Sequence, residues 1–240
     1  MWRDPSRRNQ TFQVRYALSD GWGEPVQINR RPQSKMSFSN YEKEQLRESI
    51  GFLTLAFTLA LSNGISDVMN DPNIIITTLP LAFAAVMTGF LLHELAHKWM
   101  AQQYGCWAEY RGNKNGLYFA LAMSAFGFLL AAPGAVMVSG RITEKQNGII
   151  AAVGPITNIC IALIALPIYI FTAGFDWPLS LIGELARFII VINLILAGFN
   201  MIPVPPLDGS KVIAWSKPAY IGIIGAILVM AMAYWNAPLL

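Results

Sequence analysis

The sequence predicts an α-helical polytopic membrane protein of about five to six transmembrane helices, and two observations support that fold class. First, apolar residues make up 55% of the 240 residues and charged residues 13%, whereas about 25% of a typical soluble chain is charged. Second, six stretches of at least 18 residues contain no Asp, Glu, Lys or Arg, and about 20 apolar residues cross a hydrocarbon core as a helix. These stretches are 49–66, 72–93, 115–140, 146–175, 188–207 and 218–240.

Residues 1–40 are predicted to form a polar, basic arm on the cytoplasmic side, and 41–240 to form one membrane-embedded domain. Within the arm, short β-like pieces flank the turn-like segment SDGWGEP, which favours a hairpin. The first membrane helix is expected to begin near Ser39 or Asn40, since both can cap a helix N-terminus. The basic residues of the arm are scattered and no nucleic-acid-binding motif accompanies them. They therefore indicate a positive-inside flank and no nucleic-acid partner.

The segment HELAH, at the end of the second apolar stretch, contains the only two histidines of the chain, His93 and His97. Residues at positions i and i+4 of a helix share one face, so both imidazoles can bind the same ion. Neutral imidazole nitrogen suits zinc, and Glu94 is placed to accept a proton from a zinc-bound water rather than to bind the metal. Because ionisable groups in a membrane span are costly unless they are functional, we interpret the segment as a zinc site rather than a chance match.

A catalytic zinc site usually has three protein ligands, and no third histidine exists in this chain. Among the acids beyond HELAH, Asp208 stands out because it follows a span that ends in three prolines. Prolines break a helix and let the next loop turn back towards the bundle, and Gly209 permits a tight turn there. The alternative is a helix-ending loop with a solvated aspartate. The other acids considered are Glu109, Glu144, Asp176 and Glu184.

The distribution of charges constrains the topology. If Asp208 and the two histidines bind one ion, the C-terminal ends of their spans lie on the same face, which requires that 115–140 does not cross the membrane. That stretch is interrupted by glycines and a proline, so we expect a re-entrant or membrane-inserted element that ends in a strand at 135–139. Five spans then place 16 of the 17 Lys and Arg on one side. The positive-inside rule makes that side cytoplasmic, together with the N-terminus and the active site.

Three separated motifs carry a resemblance to a known family: HELAH (93–97), AVGPITN (152–158) and FNMIPVPPLDG (199–209). In this order they resemble the motifs of the site-2 protease family of intramembrane zinc metalloproteases. The resemblance covers the region from about 72 to 217. It also implies that the β-hairpin which the family has after its first motif corresponds to part of 115–140.

The resemblance implies a role for each matching position. His93, His97 and Asp208 would bind zinc, and Glu94 would be the general base and acid. Asn158 would lie in the active-site cavity, where its amide could hold the substrate backbone or stabilise the oxyanion. The alternative for Asn158 is a hydrogen bond between helices. Two further asparagines of the span that leads to Asp208 leave the same choice open, Asn193 and Asn200. We interpret Asn200 as a residue that packs or supports the site from behind the ligands, rather than as a catalytic residue.

Together these features predict hydrolysis of a peptide bond in or near a transmembrane segment of another membrane protein, as in regulated intramembrane proteolysis. The expected partners are the lipid bilayer and a substrate with a transmembrane segment. Size and the lack of eukaryotic targeting features favour a prokaryotic plasma membrane. Two alternatives stay open. One is a non-catalytic zinc-binding protein or transporter, against which Glu94 argues; the other is a membrane metallopeptidase that acts on soluble peptides.

Overall fold

The structure is a computed structural model that describes residues 36–129, 131–172, 175–176 and 179–237. The hairpin predicted within the arm lies outside these residues. The described chain is mostly helical and contains one small sheet. Its elements are α1 (Asn40–Leu61), α2 (Ile65–Asn70), α3 (Ile74–Ala85), a π-helical segment (Val86–Leu91), α4 (Leu92–Gln103), β1 (Trp107–Gly112), α5 (Lys114–Ser124), β2 (Gly134–Ser139), α6 (Glu144–Thr172), α7 (Leu179–Asn200), α8 (Asp208–Trp215) and α9 (Lys217–Trp235).

Four helices of the described chain are long and apolar enough to cross a membrane, so the chain is an integral membrane protein and the predicted polytopic helical fold is confirmed. They are Ile74–Gln103, Glu144–Thr172, Leu179–Asn200 and Lys217–Trp235. The predicted count of five to six also included α1 and, for six, the stretch 115–140, and neither is among these four helices. α1 is capped by Ser39, whose side chain accepts the Glu42 N–H at 3.1 Å. Its first turns are charged, and only its second half is uniformly apolar.

The stretch 115–140 contains a short helix and a strand rather than a membrane-crossing helix. α5 has 11 residues, which at 1.5 Å per residue is about 16 Å, roughly half of a hydrocarbon core of about 30 Å. The strand expected at 135–139 is present as β2. Its antiparallel partner is β1, with Tyr110 opposite Val136, so the first strand of the hairpin lies before 115–140 rather than within it. α5 is an insertion between the two strands.

The outer edge of β1, on the side away from β2, is closed by side chains of α1. The Tyr110 N–H donates to Glu42 Oε1 at 2.9 Å, and the Gly112 N–H donates to Gln45 Oε1 at 2.9 Å. An exposed strand edge otherwise presents unpaired donors that attract another strand. On the opposite side of the sheet, the outer edge of β2 faces α4, where the Val136 N–H donates to a side chain of that helix.

A buried ion pair joins α1 to α4. Lys98 and Glu42 are both fully buried, and the Lys98 ammonium donates to both carboxylate oxygens, at 2.7 Å to Oε1 and 2.5 Å to Oε2. The same ammonium lies 4.5 Å from the centroid of the Phe38 ring. Since Glu42 also accepts from β1, one carboxylate holds three elements in register.

Replacing Lys98 with Met should lower the thermal stability of the detergent-solubilised protein, because it leaves the Glu42 carboxylate buried without its cation. Removing one partner of a buried ion pair costs about 3–5 kcal/mol of unfolding free energy. The double variant Glu42→Gln/Lys98→Met should recover much of that loss, since a neutral amide can still accept the Tyr110 N–H. The midpoint of thermal unfolding measures both variants. A single variant as stable as the wild type would contradict the structural role of this pair.

Candidate metal centre

The described chain brings three potential metal ligands into one buried cluster, His93, His97 and Asp208. The Nε2 atoms of the two histidines are 3.0 Å apart. Asp208 Oδ2 lies 3.3 Å from His93 Nε2 and 3.1 Å from His97 Nε2. The three residues are exposed by only 4%, 8% and 7% respectively. The histidines come from one face of α4, as their i, i+4 spacing requires.

Asp208 reaches the cluster because the chain turns sharply after α7. α7 ends at Asn200, and α8 begins at Asp208 after the proline-containing loop. Gly209 lies so close to the carbonyl oxygen of Met201 that a Cβ at this position would overlap with it. The glycine of the third motif is therefore needed for a close approach between the end of α7 and the start of α8, and this approach directs the carboxylate towards α4.

Hydrogen bonds to the other ring nitrogens orient both histidines. His97 Nδ1 lies 2.6 Å from the carbonyl oxygen of Ile150, which can only accept, so Nδ1 carries the proton. His93 Nδ1 lies 2.6 Å from Asn158 Oδ1 and is a donor for the same reason. Both Nε2 atoms then present lone pairs towards each other and towards Asp208 Oδ2.

Three acceptors that face one another in a buried space need a cation between them. Ligands about 2.0–2.1 Å from a tetrahedral zinc ion are separated by about 3.3 Å, and the observed separations are 3.0, 3.1 and 3.3 Å. Two imidazoles with a carboxylate are also a donor set that zinc uses in catalytic sites. The residues present therefore fit a zinc ion.

Glu94 lies next to this cluster in the sequence and links α4 to the sheet. It is 9% exposed, and its Oε2 accepts the Val136 N–H at 3.1 Å. Nearby, the phenol of Tyr110 contacts Ser49 Oγ at 2.9 Å and the Pro133 carbonyl at 2.8 Å. Burial, and after it the negative charge of Glu94, raises the pKa of Tyr110 above its ordinary value, so the phenol stays protonated.

Asn158 lies behind His93, on the side of the ring away from the cluster, and is fully buried. Besides accepting from His93, its amide nitrogen donates to the Gly89 carbonyl at 2.9 Å and to Asn193 Oδ1 at 2.9 Å. Both donors of the amide are thus used, and neither is free for a substrate oxygen in this arrangement. The hydrogen bond to Asn193 of α7 corresponds to the helix–helix contact that the sequence left as an alternative.

The other acids considered from the sequence lie outside the three-residue cluster. Glu109 is buried in β1 and forms an ion pair with Arg111, and Glu184 pairs with Arg187 in an exposed part of α7. Glu144 is in the first turn of α6, and Asp176 is exposed in the segment before α7.

Two features of the site were not anticipated from the sequence. A Cβ at Gly154 would collide with the imidazoles of His97 and His93, so this glycine lets α6 approach the rings. Gly154 belongs to the AVGPITN motif, and that membership was the available signal. The second feature is the carbonyl of Ile150, for which no side-chain signal exists because every residue has a backbone carbonyl.

Comparison with known proteins agrees with zinc as the metal. The chain is 36% identical over 196 residues to a protein of Methanocaldococcus jannaschii named "Putative zinc metalloprotease MJ0611", and the match covers 80% of this chain and 94% of that one. The chain belongs to the site-2 protease family of zinc metalloproteases. Its cofactor is zinc, and the cluster of His93, His97 and Asp208 can hold it.

Two further relatives of this site-2 protease family chain are also named as zinc metalloproteases. "Putative zinc metalloprotease YwhC" of Bacillus subtilis is 27% identical over 58% of this chain and 69% of its own length. "Zinc metalloprotease MJ0392" of Methanocaldococcus jannaschii is 27% identical over 55% of this chain but only 32% of its own length. No family model matches the chain, and no solved structure matches it.

The variant Gly154→Ala should lose most of its bound zinc, because the added methyl group would push the imidazoles of His93 and His97 out of position. The matched control is Gly198→Ala in α7, where an added Cβ meets no described atom within 4 Å. Metal analysis of the purified proteins gives the zinc content per chain. Equal zinc contents in the two variants would show that the close approach of α6 is not needed for binding.

Proposed function

We propose that this protein is an intramembrane protease that hydrolyses a peptide bond in or near a transmembrane segment of another membrane protein, as in regulated intramembrane proteolysis. The observation that carries the proposal is the burial of His93, His97 and Asp208 between helices long enough to cross a membrane. A site built from such helices receives its substrate laterally from the bilayer. Water has to reach the same site through a polar cavity.

In this proposal His93, His97 and Asp208 would hold the zinc ion, as the three protein ligands that a catalytic zinc site usually has. Zinc, when bound, supplies a Lewis acid that polarises the scissile carbonyl and promotes the ionisation of water. The protein residues fix the geometry before substrate arrives, since each histidine is held by a second hydrogen bond at Nδ1. Such outer hydrogen bonds orient the ring and raise its basicity as a ligand.

Glu94 is the general base and then the general acid. It takes a proton from the attacking water and passes it to the nitrogen of the scissile bond, so that an amine and a carboxylate leave as products. The Val136 N–H holds the Glu94 carboxylate at the edge of β2. The same edge is where an extended substrate would bind, so the base and the scissile bond would be positioned by a single strand.

The outer edge of β2 is suited to an added substrate strand. Because the N–H groups of Tyr110 and Val136 both point away from the β1–β2 ladder, this pair is a non-hydrogen-bonded one. By the alternation of an antiparallel ladder, Gly134 and Val138 also present their backbone groups outwards. A substrate helix that has unwound could pair by β-addition with the outward groups of Gly134 and Val138, on either side of the Val136 N–H that Glu94 occupies. Unwinding is required because the carbonyls of a helix are already hydrogen-bonded.

The charges favour a cytoplasmic N-terminus and a site that opens towards the cytoplasm of a prokaryotic plasma membrane. With α1 counted as a span, 16 of the 17 Lys and Arg fall on that side. The partners in this proposal are the lipid bilayer and a membrane-protein substrate, with no nucleic acid. A transporter would need ionisable residues along several spans, whereas 218–240 contains no Asp, Glu, Lys or Arg.

Replacing Glu94 with Gln should reduce cleavage of a single-span test protein by about 10²–10⁴-fold, the usual contribution of general acid–base catalysis. The amide keeps the shape of the side chain but cannot take a proton, so zinc should remain bound. Purified wild type and variant are compared in detergent by the appearance of cleavage products, with a chelated wild type as a further control. Zinc content is measured on the same samples.

Cleavage that survives Glu94→Gln would rule out the proposed base. Absence of cleavage by the wild type, with one zinc bound per chain and a range of single-span proteins tested, would contradict protease activity on such substrates and favour a non-catalytic zinc protein. Cleavage of soluble peptides but not of single-span proteins would place the substrate outside the membrane.

The variant Val138→Pro should lose cleavage while it stays folded. Proline removes the outward N–H of Val138, and an edge strand tolerates proline where the N–H does not take part in the ladder. Val138→Ala is the control, because it shortens the side chain and keeps the N–H. Cleavage rate is measured beside thermal unfolding. Unchanged cleavage by a folded Val138→Pro variant would exclude substrate pairing with this edge.

A further inference from the structure

A network of hydrogen-bonded polar side chains connects α7 to His93 inside the bundle. Asn193 in α7 accepts from Asn158 at 2.9 Å, and Asn158 accepts from His93 Nδ1 at 2.6 Å. At its other end, Asn193 Nδ2 donates to Thr88 Oγ1 at 3.2 Å. Asn158 and Asn193 are both fully buried. The zinc chemistry proposed above assigns no part to Asn193 or Thr88.

Backbone carbonyls fix the donor and the acceptor in every hydrogen bond of this network. A carbonyl can only accept, so the contact of Asn158 with Gly89 O identifies the nitrogen end of that amide and turns Oδ1 towards His93. Asn193 is oriented in the same way by its contact with Ile189 O at 2.9 Å. The Thr88 hydroxyl donates to Ala84 O at 2.7 Å and is left as an acceptor for Asn193.

The donor and acceptor directions in this network determine the tautomer of His93. Because Asn158 presents only an acceptor to Nδ1, the imidazole keeps its proton on Nδ1 and its lone pair on Nε2, the atom that faces Asp208. His97 obtains the same tautomer directly from the backbone carbonyl of Ile150. The orientation of His93 therefore depends on side chains at a distance, whereas that of His97 does not.

The helix shape supports the same arrangement. Thr88 and Gly89 lie in the π-helical segment Val86–Leu91, directly before α4, and π-helical turns are frequent at functional sites. Gly89 also lacks a side chain where a Cβ would lie 2.5 Å from Leu196 Cδ1 of α7. The close approach of α7 brings Asn193 within reach of Thr88 and Asn158.

We infer that Asn193 and Thr88 are positioning residues that set the zinc affinity of the site by fixing Asn158 and, through it, the tautomer and orientation of His93. This inference rests on the proposed role of His93 as a zinc ligand. Without Asn193, the Asn158 amide keeps only the Gly89 carbonyl as an acceptor, so its Oδ1 is held less rigidly against His93 Nδ1. Loss of a group that hydrogen-bonds a metal-binding histidine directly typically weakens metal binding by about 10–100-fold, and the effect of a residue that acts through Asn158 should lie at or below the lower end of that range.

The first experiment measures zinc affinity of Asn193→Leu by competition with a chromogenic chelator in detergent. We expect zinc binding to be weaker than in the wild type by up to about tenfold. The control is Asn200→Leu in the same helix, since the only hydrogen bond of the Asn200 side chain found in the described chain is to Leu196 O of its own helix. Asn200→Leu should bind zinc like the wild type. Thermal unfolding of the zinc-free proteins shows whether each variant is folded.

A second pair of variants separates positioning from packing. Thr88→Val keeps the shape of the side chain but removes the acceptor for Asn193, and it should weaken zinc binding, whereas Thr88→Ser restores the hydroxyl and should restore the affinity. The visible spectrum of the cobalt-substituted proteins, which depends on coordination geometry, should differ from the wild type in Asn193→Leu and Thr88→Val and match it in the two other variants.

The outcomes are distinguishable. Wild-type zinc affinity in folded Asn193→Leu would overturn the inference and leave the proposed protease intact. Equal weakening in Asn200→Leu would also overturn it, because α7 would then act through general packing. Two results would contradict the proposed metal site itself: the wild type binds no zinc, or the His93→Ala variant binds zinc as tightly as the wild type. Either result would overturn the inference as well.

Discussion

The burial of two imidazoles and a carboxylate against one another is the constraint on which the rest of the structure depends. Polar groups removed from water are costly unless they are hydrogen-bonded or bind a cation. In this bundle Ile150 and Asn158 of α6 accept from the Nδ1 atoms of the two histidines. The carboxylate of Glu94, which follows His93 in the sequence, accepts the Val136 N–H of β2. Hydrogen bonds to this one cluster and its neighbour Glu94 thus join α4 to α6 and β2, which are far apart in the sequence.

The two edges of the sheet are held by different helices of the bundle. A two-stranded sheet has two open edges, and either could accept a third strand. Here two outward donors of β1 are occupied by Glu42 and Gln45 of α1, whereas on β2 the outward Val136 N–H donates to Glu94 itself. Glu42 is in turn held by Lys98, the residue after His97. The closed edge and the metal-binding helix therefore share one ion pair.

Local patterns in the sequence predicted much of the site, because those patterns report helix faces and chain breaks. The spacing of His93 and His97 indicates one helix face, and the prolines before Asp208 indicate a turn back into the bundle. β1 gave no such signal: its first four residues are all buried, so it lacks the alternation of a half-buried strand. The Lys98–Glu42 pair joins positions 56 residues apart, and long-range pairing of this kind leaves no trace in a local window.

The two motifs that hold the histidines can be understood as matching faces of two helices. His93 and His97 are one turn apart on α4, and the groups that hold them from α6 are Asn158 and Ile150, with Gly154 between. Positions 150, 154 and 158 recur every four residues, so they share one face of α6. A side chain at the middle position would occupy the space that the rings need. The glycine and the asparagine of AVGPITN thus both act on the imidazoles in this structure: Gly154 leaves them room, and Asn158 contacts His93.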